Sequence, residues 1–179
     1  MIHHGFQPVA ASGARVLILG SLPGAQSLRY HQYYAQPRNA FWTILGALAG
    51  AGPELPYEER IARLEHAGIA LWDVCAAARR LGSLDAAIER DSVEVNDFAG
   101  FYAGQPQLQR VCFNGRTAAA LYRRHVLPSL TSRQRALQQV ELPSTSPAHA
   151  SLPAAMKLRH WREAIAPFTA ACTSSIDPA

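Results

Sequence analysis

Val16-Leu-Ile-Leu-Gly20-Ser-Leu-Pro-Gly-Ala-Gln-Ser-Leu-Arg-Tyr-His-Gln-Tyr-Tyr-Ala-Gln-Pro-Arg-Asn-Ala-Phe-Trp42 is the run whose reading decides the fold. Its first four residues are uniformly apolar and read as a buried strand. Its far end opens a helix that carries Phe41, Ile44, Leu45 and Leu48 on one face. Between the two lie a glycine–proline turn, three tyrosines, a histidine, two arginines and an asparagine. A loop leaving the carboxyl end of a sheet strand is where α/β folds place ligands. This loop offers aromatic faces to stack a flat ring, amides to bind an oxygen, and a polar side chain to handle water.

Working outward, the first strand covers 15–19 and the first helix runs to about residue 50, stopped by Ala-Gly-Ala-Gly-Pro at 49–53. Tyr57, Ile61 and Leu64, spaced four and three apart, predict an amphipathic helix over 57–67. Ile69-Ala-Leu-Trp-Asp-Val-Cys75 reads as the second strand, with Trp72 and Asp73 near its carboxyl end. A polar segment follows, with Arg79, Arg80, Gly82, Ser83 and Asp85, and then Asn96-Asp-Phe98, which suits a helix cap. Residues 108–113 form the third strand, and Asn114-Gly115 turns into a helix over 116–125. A short polar helix over 131–138 and a short fourth strand over 140–142 lead to Pro143-Ser-Thr-Ser-Pro-Ala-His-Ala-Ser151. The last helix spans 153–166, with Leu158, Trp161 and Ile165 inward. Residues 1–14 are expected to be an irregular lead-in, 15–168 one α/β domain, and 169–179 a frayed tail. Strands alternating with helices predict a central four-stranded parallel sheet flanked by helices on both faces.

Composition sets bounds on function. The chain has 179 residues, 49% of them apolar, which suits one globular domain with a sizeable core. No run approaches the ~20 apolar residues of a membrane span, and the N-terminus lacks a signal peptide's basic start and apolar core. A cytoplasmic monomer without a membrane partner is expected. Cys75, Cys112 and Cys172 are scattered and form no metal-ligand set, so they read as small buried hydrophobes. No metal or organic cofactor is expected. The formal charge is +4, and Lys157 is the only lysine. Arginine suits bidentate phosphate contacts, and the basic excess is compatible with a nucleic-acid partner. The loop after the last strand has hydroxyls and free amides just before a helix. It reads either as a phosphate site or as an ordinary proline-stiffened helix entry.

Gly20-Ser-Leu-Pro-Gly together with Tyr33-Tyr-Ala-Gln-Pro-Arg-Asn-Ala-Phe-Trp42 resembles motif one of the uracil-DNA glycosylase superfamily, and Ser144-Thr-Ser-Pro-Ala-His149 resembles its motif two. Gly68-Ile-Ala-Leu-Trp-Asp-Val-Cys75, Gly82-Ser-Leu-Asp85, Asn96-Asp-Phe98 and Phe113-Asn-Gly115 are similar to the hypoxanthine-DNA (deoxyinosine) glycosylase branch. The likeness covers residues 5 to about 168. It implies a three-layer α/β/α fold. It also implies hydrolysis of the N-glycosidic bond of a deaminated base, hypoxanthine foremost, in double-stranded DNA. The base must leave the stack, because its reacting carbon is out of reach in the duplex.

The resemblance also implies roles. Tyr34 stacks on the flipped base, with Tyr33 as the alternative. Amides of Gly20, Ser21 and Leu22 stabilise an oxygen of the departing base. Leu22 is a departure, because many superfamily members carry Asp or Asn there to handle water. In the hypoxanthine branch that role passes to the asparagine that is Asn39 here. An amide orients water and stabilises charge but is a poor base. Asn39 also stands before a helix and could be its N-cap, and the two roles are compatible. Trp72 and Asp73 end the base-reading strand, with Asp73 either accepting from a purine N–H or anchoring the loop. Asn114 either reads the base edge or only makes its turn. Ser144, Thr145, Ser146, Pro147, Ala148 and His149 face the DNA. Ser144 stands in place of a histidine, and Ser146 is the candidate phosphate contact. Ala148 replaces the intercalating leucine, which leaves the wedge to His149 or Leu152. His149 is also a candidate general acid.

Lys157 is expected to face outward. As the only side-chain amine able to form a Schiff base, it points to a monofunctional enzyme without strand cleavage. The alternatives are a broader uracil or mismatch glycosylase, or a DNA-binding module without catalysis, which Leu22 favours. A Ser/His hydrolase lacks its G-x-S-x-G elbow.

Overall fold

The computed structural model describes residues 1–82 and 84–169. In chain order its main elements are β1 (Ile2–His4), β2 (Val16–Gly20), α1 (Ala25–Tyr30), α2 (Phe41–Ala49), α3 (Tyr57–His66), β3 (Ile69–Asp73), β4 (Cys75–Arg79), β5 (Glu94–Val95), α4 (Phe98–Ala103), β6 (Arg110–Asn114), α5 (Arg116–Leu121), α6 (Ser132–Arg135), β7 (Gln138–Leu142) and α7 (Ala154–Ile165). Four strands pair in parallel in the order β3-β2-β6-β7. The chain leaves β2 toward one side of the sheet and β6 toward the other. The switch point, where open α/β sheets form their crevice, therefore lies at the carboxyl ends of β2 and β6.

Side chains alternate between the two faces of β2. Val16 and Ile18 pack with Phe41, Trp42 and Leu45 of α2, Leu64 of α3 and Trp161 of α7. Leu17 and Leu19 pack on the opposite face with Phe98 of α4, Phe113, and Leu121 of α5. A sheet buried on both faces needs strands that are apolar throughout, which is the pattern of Val16-Leu-Ile-Leu19. Asp97 caps α4, its carboxylate accepting from the Gly100 N–H at 2.9 Å.

The sequence reading and the structure part in four places. Residues 1–14 are not irregular throughout: they hold β1, and Val9 bridges to Leu71. β1, β4 and β5 form a second, antiparallel sheet. The Cys-Ala-Ala-Ala-Arg run of β4 is a weak strand former by itself, and pairing on both sides makes it one. The expected helix over 131–138 is only the single turn of α6, closed by a Thr131–Gln134 capping box. Gln138 already belongs to β7, so the last strand is longer than 140–142.

The fourth difference is Lys157, which faces inward at 6% exposure, and its Nζ donates to the His149 carbonyl at 2.6 Å. It lies four residues before Trp161 and so shares that residue's inner stripe. Cys75 and Cys112 are buried thiols. Cys172 and nearly all of the expected tail lie outside the described residues, as does Ser83. No helix among the described residues is long and apolar enough to cross a membrane.

Candidate active site

At the switch point lies a cavity of about 1080 Å³, lined by the loops that follow β2, β4, β6 and β7. The two sequence motifs meet there directly: the Ala40 N–H donates to the Thr145 carbonyl at 3.0 Å. Asn39, Gly20, Ser21, Leu22, Tyr33, Tyr34, Asp73 and Asn114 all line this cavity, and so do Ser144 to His149. Trp72 does not. Strand alternation sends it to the face opposite Asp73, where it packs on Phe98 and Phe101 and donates to the Phe6 carbonyl at 2.9 Å. It is a core residue.

The turn after β2 is fixed by its carbonyls. Val74 N–H donates to the Gly20 oxygen at 2.9 Å and Cys75 N–H to the Ser21 oxygen at 3.0 Å. Arg80 then holds the Leu22 carbonyl at 3.3 Å through Nη1 and the Pro23 carbonyl through Nη2. A trans peptide points its N–H away from the carbonyl it shares. With the oxygens of Gly20 and Ser21 turned back, the amides of Ser21 and Leu22 point the other way. The Leu22 side chain is buried in the core, so at that position the turn offers the cavity only backbone.

Asp73 closes the floor. It is 4% exposed, and its Oδ2 has no hydrogen-bond partner. A Cβ on Gly20 would lie 2.3 Å from Asp73 Oδ1 and 3.0 Å from Tyr34 Oη, so only glycine lets these groups gather. Burial first, and the Asp85 charge second, push the Asp73 carboxyl up to about 7, with Arg80 acting the other way. Asp85, also at the cavity, is raised chiefly by burial, against the Ser21 hydroxyl and Arg80. Arg80 itself is 2% exposed, and its Nη1 lies 3.7 Å from Asp85 Oδ1.

Tyr34 adopts a left-handed backbone (φ 53°) and stacks on Phe41 with ring centroids 3.8 Å apart and planes 16° from parallel. Its Oη makes no well-formed hydrogen bond. Burial, then the charge of Asp73, keep its phenol protonated. Tyr33 is wall instead. Its hydroxyl donates to the Gln7 carbonyl at 3.0 Å, and its own carbonyl accepts from Trp42 Nε1 at 3.0 Å.

Asn39 stands one residue before the N-cap Ala40, and its Oδ1 accepts the Phe41 N–H at 3.0 Å, which satisfies the first amide of α2. The side chain still lines the cavity, and with one oxygen lone pair engaged the Nδ2 donors are its larger remaining capacity there. Asn114 binds across the two loops. Its Oδ1 accepts from the Thr145 N–H at 2.9 Å, and its Nδ2 donates to Thr145 Oγ1 at 2.8 Å. Gly115 follows at φ 95°, and a Cβ there would lie 3.0 Å from Ser144 Cβ, so this glycine lets the loops close. Arg38 and Arg116 line the rim with exposed side chains and were not singled out from sequence. Nor were Arg80 and Asp85 as site residues; their adjacency to the turn after β2 exists only in the fold.

The family model for the uracil DNA glycosylase superfamily matches residues 7–168. The chain belongs to this superfamily. As a member it is a DNA glycosylase, a hydrolase of N-glycosyl bonds, and its substrate class is DNA. It is 40% identical over 144 residues to a protein of Methanosarcina acetivorans named hypoxanthine DNA glycosylase, covering 75% of this chain and 90% of the relative. It is 41% identical over 117 residues to one of Methanosarcina barkeri with the same name, covering 65% of this chain and 73% of that protein. A solution NMR structure from M. acetivorans, provisionally named a uracil DNA glycosylase, superposes with a TM-score of 0.78 at 35% identity. That match covers 94% of this chain and 99% of the other. The two stretches that resemble the superfamily's motifs are the two loops that meet over the cavity.

Proposed function

We propose that this glycosylase, acting as a cytoplasmic monomer, removes hypoxanthine from double-stranded DNA. The observation that carries this reading is the convergence of four features on one cavity: the Tyr34 ring, the Asp73 carboxyl, the amides of the turn after β2, and Asn39. The flipped base stacks on Tyr34, which Phe41 backs. The amides at Ser21 and Leu22 face an oxygen of the base and strengthen as negative charge develops on departure. Asp73, holding its proton below about pH 7, presents one donor and one acceptor. The N1–H and O6 of hypoxanthine complement that pair. Asn39 donates from Nδ2, its oxygen being held by Phe41, and so positions water and stabilises charge without acting as a strong base. Ser144, Ser146, Arg38 and Arg116 contact the phosphates around the extruded nucleotide.

Both relatives, at 40% and 41% identity, carry the hypoxanthine name, which favours a purine over uracil as the preferred base. The enzyme is monofunctional, because the lone lysine is buried, bonded to a carbonyl, and not at the cavity. The test is a panel of duplexes carrying hypoxanthine, uracil, xanthine or thymine, scored by abasic sites formed. Hypoxanthine is expected to lead, and a lead by uracil or thymine would displace it. Borohydride should trap no crosslink with abasic DNA, and a stable crosslink would refute the monofunctional reading.

A further inference from the structure

A base that leaves the stack leaves a gap, and glycosylase-type extrusion is favoured when an apolar side chain fills it. The loop after β7 offers only short or polar groups for this: Pro147 presents a compact ring closed onto its own backbone, Ala148 carries one methyl, and His149 is polar. Leu152 is half-buried and does not reach the cavity. On the other rim stands Leu84. It is 61% exposed, and it is the only exposed large hydrophobic side chain lining the cavity among the described residues.

The turn that carries it is tied to the fold by hydrogen bonds. The Leu84 carbonyl accepts from the Ala87 N–H at 3.0 Å, closing a single turn over Asp85–Ala87. Beneath that turn, Arg80 donates through Nε to the Gly82 carbonyl at 3.1 Å, faces Asp85, and holds the carbonyls of Leu22 and Pro23. The buried arginine thus ties the turn bearing Leu84 to the turn that faces the base. A leucine kept in water on a braced turn gains from burial only when something covers it.

We propose that Leu84 is the wedge that enters the DNA stack when the target base swings into the cavity. The role rests on the glycosylase reading above, and the occupant is duplex DNA. Filling the gap matters only where a stack exists, so the wedge should serve duplex and not single-stranded substrate.

The test compares single-turnover base release from inosine-containing duplex and single strand by wild type, Leu84→Ala, Leu84→Met and His149→Ala. Leu84→Ala should lose roughly 10-fold or more on the duplex, in line with one buried leucine side chain. It should keep wild-type release on the single strand, and its melting midpoint should match wild type. Leu84→Met should restore most of the duplex rate. A 2-aminopurine beside the inosine should brighten when wild type binds and stay quenched with Leu84→Ala. Equal loss on both substrates, or no loss on either, would overturn the wedge. A duplex-only loss in His149→Ala with Leu84→Ala unaffected would move it to the opposite loop. A wild type inert on every inosine substrate would instead remove the hypoxanthine reading and the wedge argued from it.

Discussion

The loop after β2 and the loop after β7 meet over the same edge of the sheet but are held differently. In the first, four consecutive carbonyls from Gly20 to Pro23 are bonded back to the β3–β4 segment and Arg80. Tyr33 is pinned as well, its N–H by the Tyr57 hydroxyl at 3.0 Å and its own hydroxyl by Gln7. The second loop is anchored from outside at three residues: Pro143, whose carbonyl accepts from Trp161 Nε1 at 2.9 Å; Thr145, held by Asn114 and the Ala40 N–H; and His149, held by Lys157. Between the last two, Pro147 and Ala148 are exposed. A surface that stabilises developing charge must be set before the reaction, whereas one that follows a DNA strand can keep its side chains in water. The wall toward the base is fixed, and the rim toward the backbone is tied only where it must be.

The sharpest way to break that contrast is Asn39→Ser. Serine keeps an oxygen able to cap α2 but removes the amide nitrogen. Single-turnover release of hypoxanthine should fall by about 10²- to 10⁴-fold with little change in melting midpoint. Equal activity would leave Asn39 a cap alone. Next in size is Asn114→Ala, which severs the strut between the loops and leaves Thr145 polar groups buried. A loss of about 1–3 kcal/mol in denaturant unfolding is expected, together with slower base release.

Asp73→Asn sharpens the comparison through pH. The native carboxyl holds its proton up to about 7 against an ordinary 3.8, so between those values the folded state binds more protons than the unfolded. Stability linked to this group is therefore full below about pH 4 and is lost as pH rises toward 7. Asparagine always offers one donor and one acceptor. Asp73→Asn should thus gain stability on wild type as pH rises through that window, and keep base release at pH 8, where wild type declines. Parallel pH curves would show the carboxyl to be ionised throughout. The smallest effect is expected for Lys157→Met, which frees the His149 carbonyl but spares a buried ammonium that burial already disfavours. Its thermal midpoint should shift little, and its loss should appear as weaker duplex binding.

The main sheet was legible because its strands are apolar runs ending at turn residues, and the site because both motifs follow such strands. The antiparallel sheet was not, since alanines in β4, and in β5 only two residues, carry no periodic signal. Position along the strand suggests Trp72 for the site, but its alternation with Asp73 puts the two on opposite faces. A lysine is expected outward, but the four-residue spacing of Lys157 from Trp161 places it on the inner stripe. Arg80 had no local signal, because its role depends on contacts 57 and 58 residues away in sequence.

The most direct measurement is a crystal structure with duplex DNA carrying an uncleavable deoxyinosine analogue. The purine should lie on Tyr34 with its N1–O6 edge toward Asp73 and its sugar beside the Asn39 amide, within hydrogen-bond reach of one ordered water. A base still stacked in the duplex, or bound away from the slot between the two loops, would contradict it.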